Sequence, residues 1–239
     1  ESVRLAAGLD PVSGLADEAQ ARALKCLSHL GERISEFPRA RVRVVGTNTL
    51  RKAKDAMHFL EKAESALGHR IDVISGREEA RLIYRGVVRD VESPGCLLVV
   101  DIGGGSTEVI IGEGQEPRQL DSLYMGCVSW SQRFFPNGMV TKESMEQAIV
   151  SARREIASIV REYRKAGWET AIGSSGTIVA IETILQARGS ETIDADGLRW
   201  LRKQLIETGY MNDVDLVGLS ENRRPVLAGG VAILSAVFQ

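Results

Sequence analysis

Apolar residues recur at Ala19, Ala23, Cys26, Leu27, Leu30 and Ile34, the spacing of one helix face. They predict an amphipathic helix from Ala16 to Phe37. RVRVVG, from Arg41 to Gly46, alternates polar and apolar and predicts a strand. It passes through Thr47, Asn48 and Thr49 into a second helical pattern carried by Ala53, Ala56, Leu60, Ala63 and Leu67. Ile71 to Ile74, Ser75 with Gly76, and Arg77 to about Val87 repeat the cycle of strand, loop and helix. From Leu97 to Gly112 the chain reads LLVVDIGGGSTEVIIG. Two runs rich in β-branched residues joined by three glycines predict a hairpin, with a further strand near Gln119 to Tyr124.

The second half turns helical. Met145, Ile149, Ala152, Ile156, Ile159, Val160 and Tyr163 mark one long helix that Thr141 caps. A strand over Glu169 to Ile172 then meets the loop Gly173 to Thr177 (GSSGT) and a helix from Ile178 to Gln186. Asp196 to Thr208 and Asn222 to Phe238 predict two more helices. Strands alternating with helices argue for an α/β fold. The VESPG stretch, Val91 to Gly95, divides the chain into residues 1–94 and 95–239. In two-lobed α/β proteins ligands sit between the lobes, outside the strand ends.

Composition narrows the class. The chain has 239 residues, 44% of them hydrophobic, enough for one large or two ordinary domains. A net charge of −2, without a long basic stripe, argues against nucleic acid as the main partner. Cys26, Cys96 and Cys127 lie far apart with no CxxC spacing, which fits a reducing cytoplasm and buried filler roles. No apolar run approaches the ~18 residues of a membrane span, so no membrane association is expected. VRLAA is a strand-like piece with no turn before it, and AILSAVFQ stops inside an apolar run; both suggest a piece of a longer chain.

The chemistry concentrates in the hairpin. A two-residue turn at Gly104 and Gly105, of type I′ or II′ with positive φ, sets Gly103 against Ser106, Ile102 against Thr107 and Asp101 against Glu108. Facing carboxylates repel by a few tenths to about 1 kcal/mol, and a divalent cation such as Mg²⁺ turns that repulsion into attraction. The glycine amides with the Ser106 and Thr107 hydroxyls can cradle a phosphate. A plain hairpin whose glycines serve only the turn is the competing reading. The stretch is neither a Walker A loop nor a Rossmann fingerprint.

Ser75 and Glu78 form a capping box, which gives Glu78 a structural role. Glu79 is then either a solvated carboxylate favoured by the helix dipole or a general base for water attacking phosphorus. Arg51 and Lys52, read as the first turn of a helix, are unfavourable to its dipole unless an anion lies near. Ser174 and Ser175 are N-cap or phosphate-contact candidates, and Arg223 with Arg224 is a solvated pair or a phosphate contact. The three histidines have no partners at ligand spacing.

These residues fall into a known pattern. GTNTLR (Gly46 to Arg51), ISGREEARLIYRGV (Ile74 to Val87), VVDIGGGSTEVIIG (Val99 to Gly112), MGCVSW (Met125 to Trp130) and GSSGT resemble, in order, the exopolyphosphatase/guanosine pentaphosphate phosphohydrolase family. The resemblance implies the two-lobed actin-like and sugar kinase-like (ribonuclease H-like) fold, and Mg²⁺-dependent removal of terminal phosphate from polyphosphate or guanosine pentaphosphate. It assigns Glu79 as catalytic base and Asp101 and Glu108 as metal carboxylates. Gly103, Gly104, Gly105, Ser106 and Thr107 become the phosphate loop. Arg51 and Arg223 resemble the family's arginine contacts to the phosphate chain.

Nothing here matches the family's first glycine-rich phosphate loop, so residues 1–94 are expected to be a first lobe lacking its initial strands, and 95–239 the second lobe. A homodimer in the cytoplasm is expected. A kinase on the same fold and a non-catalytic sensor of ppGpp or polyphosphate are the alternative functions.

Overall fold

A computed structural model describes residues 3–10, 14–54, 56–91 and 95–239. The chain divides into two compact units, Glu1–Glu79 and Ala80–Gln239. The division read from sequence falls later, in the VESPG stretch, where Glu92, Ser93 and Pro94 lie outside the described residues. The boundary lies earlier because Ala80 and Tyr84 are buried against Leu97, Val99 and Ile110 and so belong with the second unit.

The first unit opens with a short antiparallel pair, β1 (Leu9–Asp10) and β2 (Gly14–Leu15), before helix α1 (Asp17–Ile34). β3 (Val44–Gly46) leads into α2 (Asn48–Lys52), α3 (Ala56–Leu67) and β4 (Ile71–Val73), which pairs parallel with β3. The single helix read after Thr49 is therefore two. Leu50 packs so closely on Gly46 that a Cβ there would meet its Cδ1 at 2.5 Å, and Ala53 turns extended to end α2. Leu15, Ala23, Leu50, Ala53, Phe59 and Ala63 form the core. α1 lies against α3, where Gly31 faces the Leu67 carbonyl with no room for a side chain.

Helix α4 (Gly76–Asp90) runs across the division. The second unit is built on a four-stranded sheet of order β7-β6-β5-β8, formed by β5 (Cys96–Ile102), β6 (Thr107–Glu113), β7 (Glu116–Leu123) and β8 (Thr170–Ser174). β5, β6 and β7 are antiparallel neighbours, and β8 pairs parallel with β5. Leu97, Val99 and Ile110 turn one face of the sheet toward Ala80 and Tyr84.

The other elements are α5 (Cys127–Phe134), α6 (Lys142–Ala166), α7 (Ser175–Ala187), α8 (Ala195–Thr208) and α9 (Arg224–Val237). Thr141 caps α6 as expected, its Oγ1 accepting from the Ser144 amide at 3.1 Å. α9 is buried on all sides from Val226 to Ala236, the signature of a central core helix. Its two glycines let neighbours close in: a Cβ at Gly229 would strike the Cys127 carbonyl at 2.5 Å, and one at Gly230 the Thr177 methyl at 2.3 Å.

Tyr163 of α6 ties this assembly to the sheet. Its buried hydroxyl donates to the Val109 carbonyl at 2.6 Å and lies 3.0 Å from Asp121 Oδ2. Tyr163→Phe is expected to cost about 1–2 kcal/mol, read as a lower urea midpoint at unchanged slope. No helix among the described residues is long and apolar enough to cross a membrane.

Candidate functional site

The hairpin has the register expected of it. Asp101 pairs with Glu108 and Ile102 with Thr107, and the Gly103 amide donates to the Ser106 carbonyl at 2.9 Å. The turn itself differs from expectation. None of Gly103, Gly104 and Gly105 occupies the left-handed region, so this is neither type I′ nor type II′.

The cause is tertiary. The Gly103 carbonyl accepts from the Cys127 amide at 2.9 Å, and the Gly104 carbonyl accepts from Val128 at 3.0 Å and Ser129 at 3.1 Å. The first amides of α5 thus find their acceptors in the turn. Gly126, just before α5, lies against it: a Cβ there would meet Gly105 N at 2.3 Å and Gly104 C at 2.4 Å. These glycines are needed for close approach rather than for positive φ.

The geometry sorts the five loop residues. In a trans peptide the N–H points opposite the carbonyl of the same unit. With the Gly103 and Gly104 carbonyls turned to α5, the amides of Gly104 and Gly105 point away from it, and neither has a partner among the described residues. Gly103 uses both its amide and its carbonyl to hold the turn. The Thr107 hydroxyl donates to the Met125 carbonyl at 2.7 Å in a fully buried position. Ser106 is buried beside it.

Below the turn, strand pairing lines up a polar row across the whole sheet. Ser122 on β7 faces Glu108 on β6, Glu108 faces Asp101 on β5, and Asp101 faces Ser174 on β8. Residues paired in this way share a face. Glu108 is only 1% exposed, and the Ser122 hydroxyl donates to its Oε1 at 2.7 Å. Among the described residues no group of three or more His, Cys, Asp or Glu side chains could hold a metal ion. Two facing hard-oxygen donors suit Mg²⁺, which keeps several waters and takes one or two carboxylates plus substrate phosphates.

The GSSGT stretch is not a loop. β8 runs through Ser174 directly into α7, with Ser174 as N-cap making no side-chain cap bond and Ser175 at φ 84°. The Ser175 hydroxyl oxygen is buried without a partner among the described residues. Arg223, the N-cap of α9, lays its guanidinium over Gly176, where a Cβ would meet Nη2 at 2.0 Å. Burial pushes the Cys127 thiol up, opposed by a hydrogen bond with Thr177 and by the Arg223 charge. The N-termini of α5, α7 and α9 therefore converge, and their dipoles with Arg223 favour an anion.

In the first unit, Ser75 caps α4: its hydroxyl accepts from the Glu78 amide at 3.2 Å. The Glu78 carboxylate lies 3.7 Å from Arg43. Arg51 Nη1 donates to Glu79 Oε2 at 2.9 Å and to the Ile74 carbonyl at 2.7 Å. Arg51 and Lys52 occupy the last turn of α2 rather than the first turn of a longer helix, so the dipole favours them. The dipole therefore gives no reason for an anion beside Arg51, whose observed partners are Glu79 and the Ile74 carbonyl.

Sequence reasoning missed α5, Gly126 and Ser122. An eight-residue helix gives little periodicity, and the bond from Ser122 to Glu108 depends on strand register. The motif MGCVSW was the available signal for α5.

Residues 1–239 match the sequence model of the Ppx/GppA phosphatase family. The chain belongs to that family. It is 44% identical over 238 residues to the guanosine-5'-triphosphate,3'-diphosphate pyrophosphatase of Aliivibrio fischeri, covering 99% of this chain and 48% of the relative. The Vibrio cholerae protein of the same name gives the same identity and coverage. The chain thus spans about half the length of these curated relatives.

Among solved structures, an exopolyphosphatase-like protein superposes with a TM-score of 0.84 at 27% identity, covering 98% of this chain and 78% of that one. An exopolyphosphatase from Cytophaga hutchinsonii gives 0.80 at 23% identity, over 95% and 76% of the two chains. The fold is the actin-like α/β fold of Ppx/GppA proteins, as the sequence motifs implied.

Proposed function

We propose that the protein is a phosphohydrolase that releases terminal phosphate from guanosine pentaphosphate or inorganic polyphosphate by attack of water. The observation that carries this reading is the in-register Asp101 and Glu108 pair beneath a glycine turn that presents two amides with no partner among the described residues. A terminal phosphate brings the acceptor oxygens those amides require. The names of relatives at 44% identity favour guanosine pentaphosphate as the main substrate.

Each group has a defined task. The amides of Gly104 and Gly105, with Ser106, hold the non-bridging oxygens, while Gly103 and Thr107 fix the turn. Asp101 and Glu108 hold Mg²⁺, which shields phosphate charge when bound. Arg223 and the α7 N-terminus, with Ser174 and Ser175, attract the remaining phosphates of the chain. Glu79 orients the attacking water and takes its proton, with its carboxylate held in place by Arg51.

The deciding experiment is a parallel phosphate-release assay on guanosine pentaphosphate and polyphosphate. Release from neither substrate, with both still bound, would replace this reading with that of a sensor. Transfer of phosphate to an acceptor other than water would make the protein a kinase. Chelation of Mg²⁺ with EDTA is expected to lower turnover at least ~100-fold, with recovery on adding Mg²⁺ back. Turnover that persists in EDTA removes Asp101 and Glu108 from the metal role.

A further inference from the structure

We propose that Ser122 is the positioning residue for Glu108, setting the rotamer in which that carboxylate meets a divalent cation. The inference rests on the reading of Glu108 as a metal-facing carboxylate. Glu108 is buried and stands opposite Asp101 on one side and Ser122 on the other. A Glu side chain has three rotatable bonds, and repulsion from Asp101 tends to swing its carboxylate away. The Ser122 hydroxyl opposes this by donating to Oε1 at 2.7 Å, a bond between neighbouring strands.

The register that makes this bond is itself clamped. One step along the ladder, Val109 pairs with Asp121, and Tyr163 from α6 reaches both, at 2.6 Å to the Val109 carbonyl and 3.0 Å to Asp121 Oδ2. β7 therefore cannot slide on β6 without breaking the Tyr163 contacts. A one-residue slip would turn Ser122 to the other face of the sheet. The chain of support runs from α6 through the β6–β7 ladder to Ser122 and then to the carboxylate. Hydroxyls that orient metal carboxylates in this way typically contribute 10–100-fold to metal affinity.

The test is Mn²⁺ binding, by electron paramagnetic resonance or calorimetry on the intact protein without substrate. Ser122→Ala is expected to weaken Mn²⁺ binding about 10–100-fold, and Ser122→Thr, which keeps the hydroxyl, to stay within about threefold of wild type. If Ser122→Ala does not fold, Ser122→Cys offers a weaker donor of similar size, with an intermediate loss expected. Wild-type Mn²⁺ affinity in whichever of these two variants folds overturns the proposal, whatever its melting temperature. Glu108→Gln separates the two levels. If it abolishes Mn²⁺ binding while removal of the Ser122 hydroxyl does not weaken it, only the proposal fails. If wild type binds no Mn²⁺, or Glu108→Gln binds it normally, the metal reading fails and takes the proposal with it.

Discussion

Glu79→Gln is expected to lower kcat for phosphate release by roughly 10²–10⁴-fold, the contribution of a positioned general base, while KM moves only a few-fold. Gln has the same shape and still accepts a hydrogen bond from Arg51, so the first unit keeps its fold. In the role proposed for Glu79, what it loses is the capacity to take a proton from water. The neighbouring Glu78 is the control, because its amide caps onto Ser75 and its carboxylate faces Arg43. Glu78→Gln is expected to shift stability slightly and leave turnover within about threefold of wild type. Steady-state kinetics on both variants settle the assignment: near-normal kcat in Glu79→Gln would end it.

Gly126→Ala is expected to destabilise the second unit strongly. The backbone there, at φ −143° and ψ 158°, is extended and open to any residue. The obstacle is space, since the new carbon would lie 2.3 Å from Gly105 N, 2.4 Å from Gly104 C and 2.5 Å from Gly104 O. These are backbone atoms of the turn, which cannot rotate aside as a flexible side chain would. The turn must lift off α5, straining the bonds from the Cys127, Val128 and Ser129 amides. Overpacking and lost hydrogen bonds together cost about 2–5 kcal/mol, a fall in Tm of roughly 5–15 °C for a protein of this size. Displacing the Gly104 and Gly105 amides should also depress phosphate release in whatever protein remains folded. A Tm unchanged in differential scanning calorimetry would mean that the turn and α5 are not held as described.

Much of the fold was legible in the sequence because it rests on local rules. The periodicity of α1 and α6, the Thr141 and Ser75 caps, and the hairpin register are all set by residues within a few positions of one another. Side-chain alternation has period two, so three glycines between matched apolar runs leave one good register, and that register sets Asp101 against Glu108. The order of the motifs along the chain is specific enough to indicate the family. Local rules failed where a distant partner intervened. Leu50 packing on Gly46 and the extended Ala53 split α2 from α3, and Arg51 passed from a first turn to a last one. GSSGT read as a loop because two serines and two glycines favour turns. Parallel pairing with β5 carries Gly173 and Ser174 into β8 instead.

By itself, the sequence determined the α/β class, the hairpin with its facing carboxylates, the Ser75 cap that gives Glu78 its structural role, and the family. Only the tertiary structure decided how those parts are held. It turned the carbonyls of the glycine loop toward α5 and so aimed two amides the other way. It joined Arg51 to Glu79, brought Arg223 over Gly176, and placed Ser122 on Glu108. The physical reason is common to all four: a hydrogen bond or close contact between groups 14 to 47 positions apart in the chain leaves no periodic trace, because either partner alone looks like an ordinary polar or small residue.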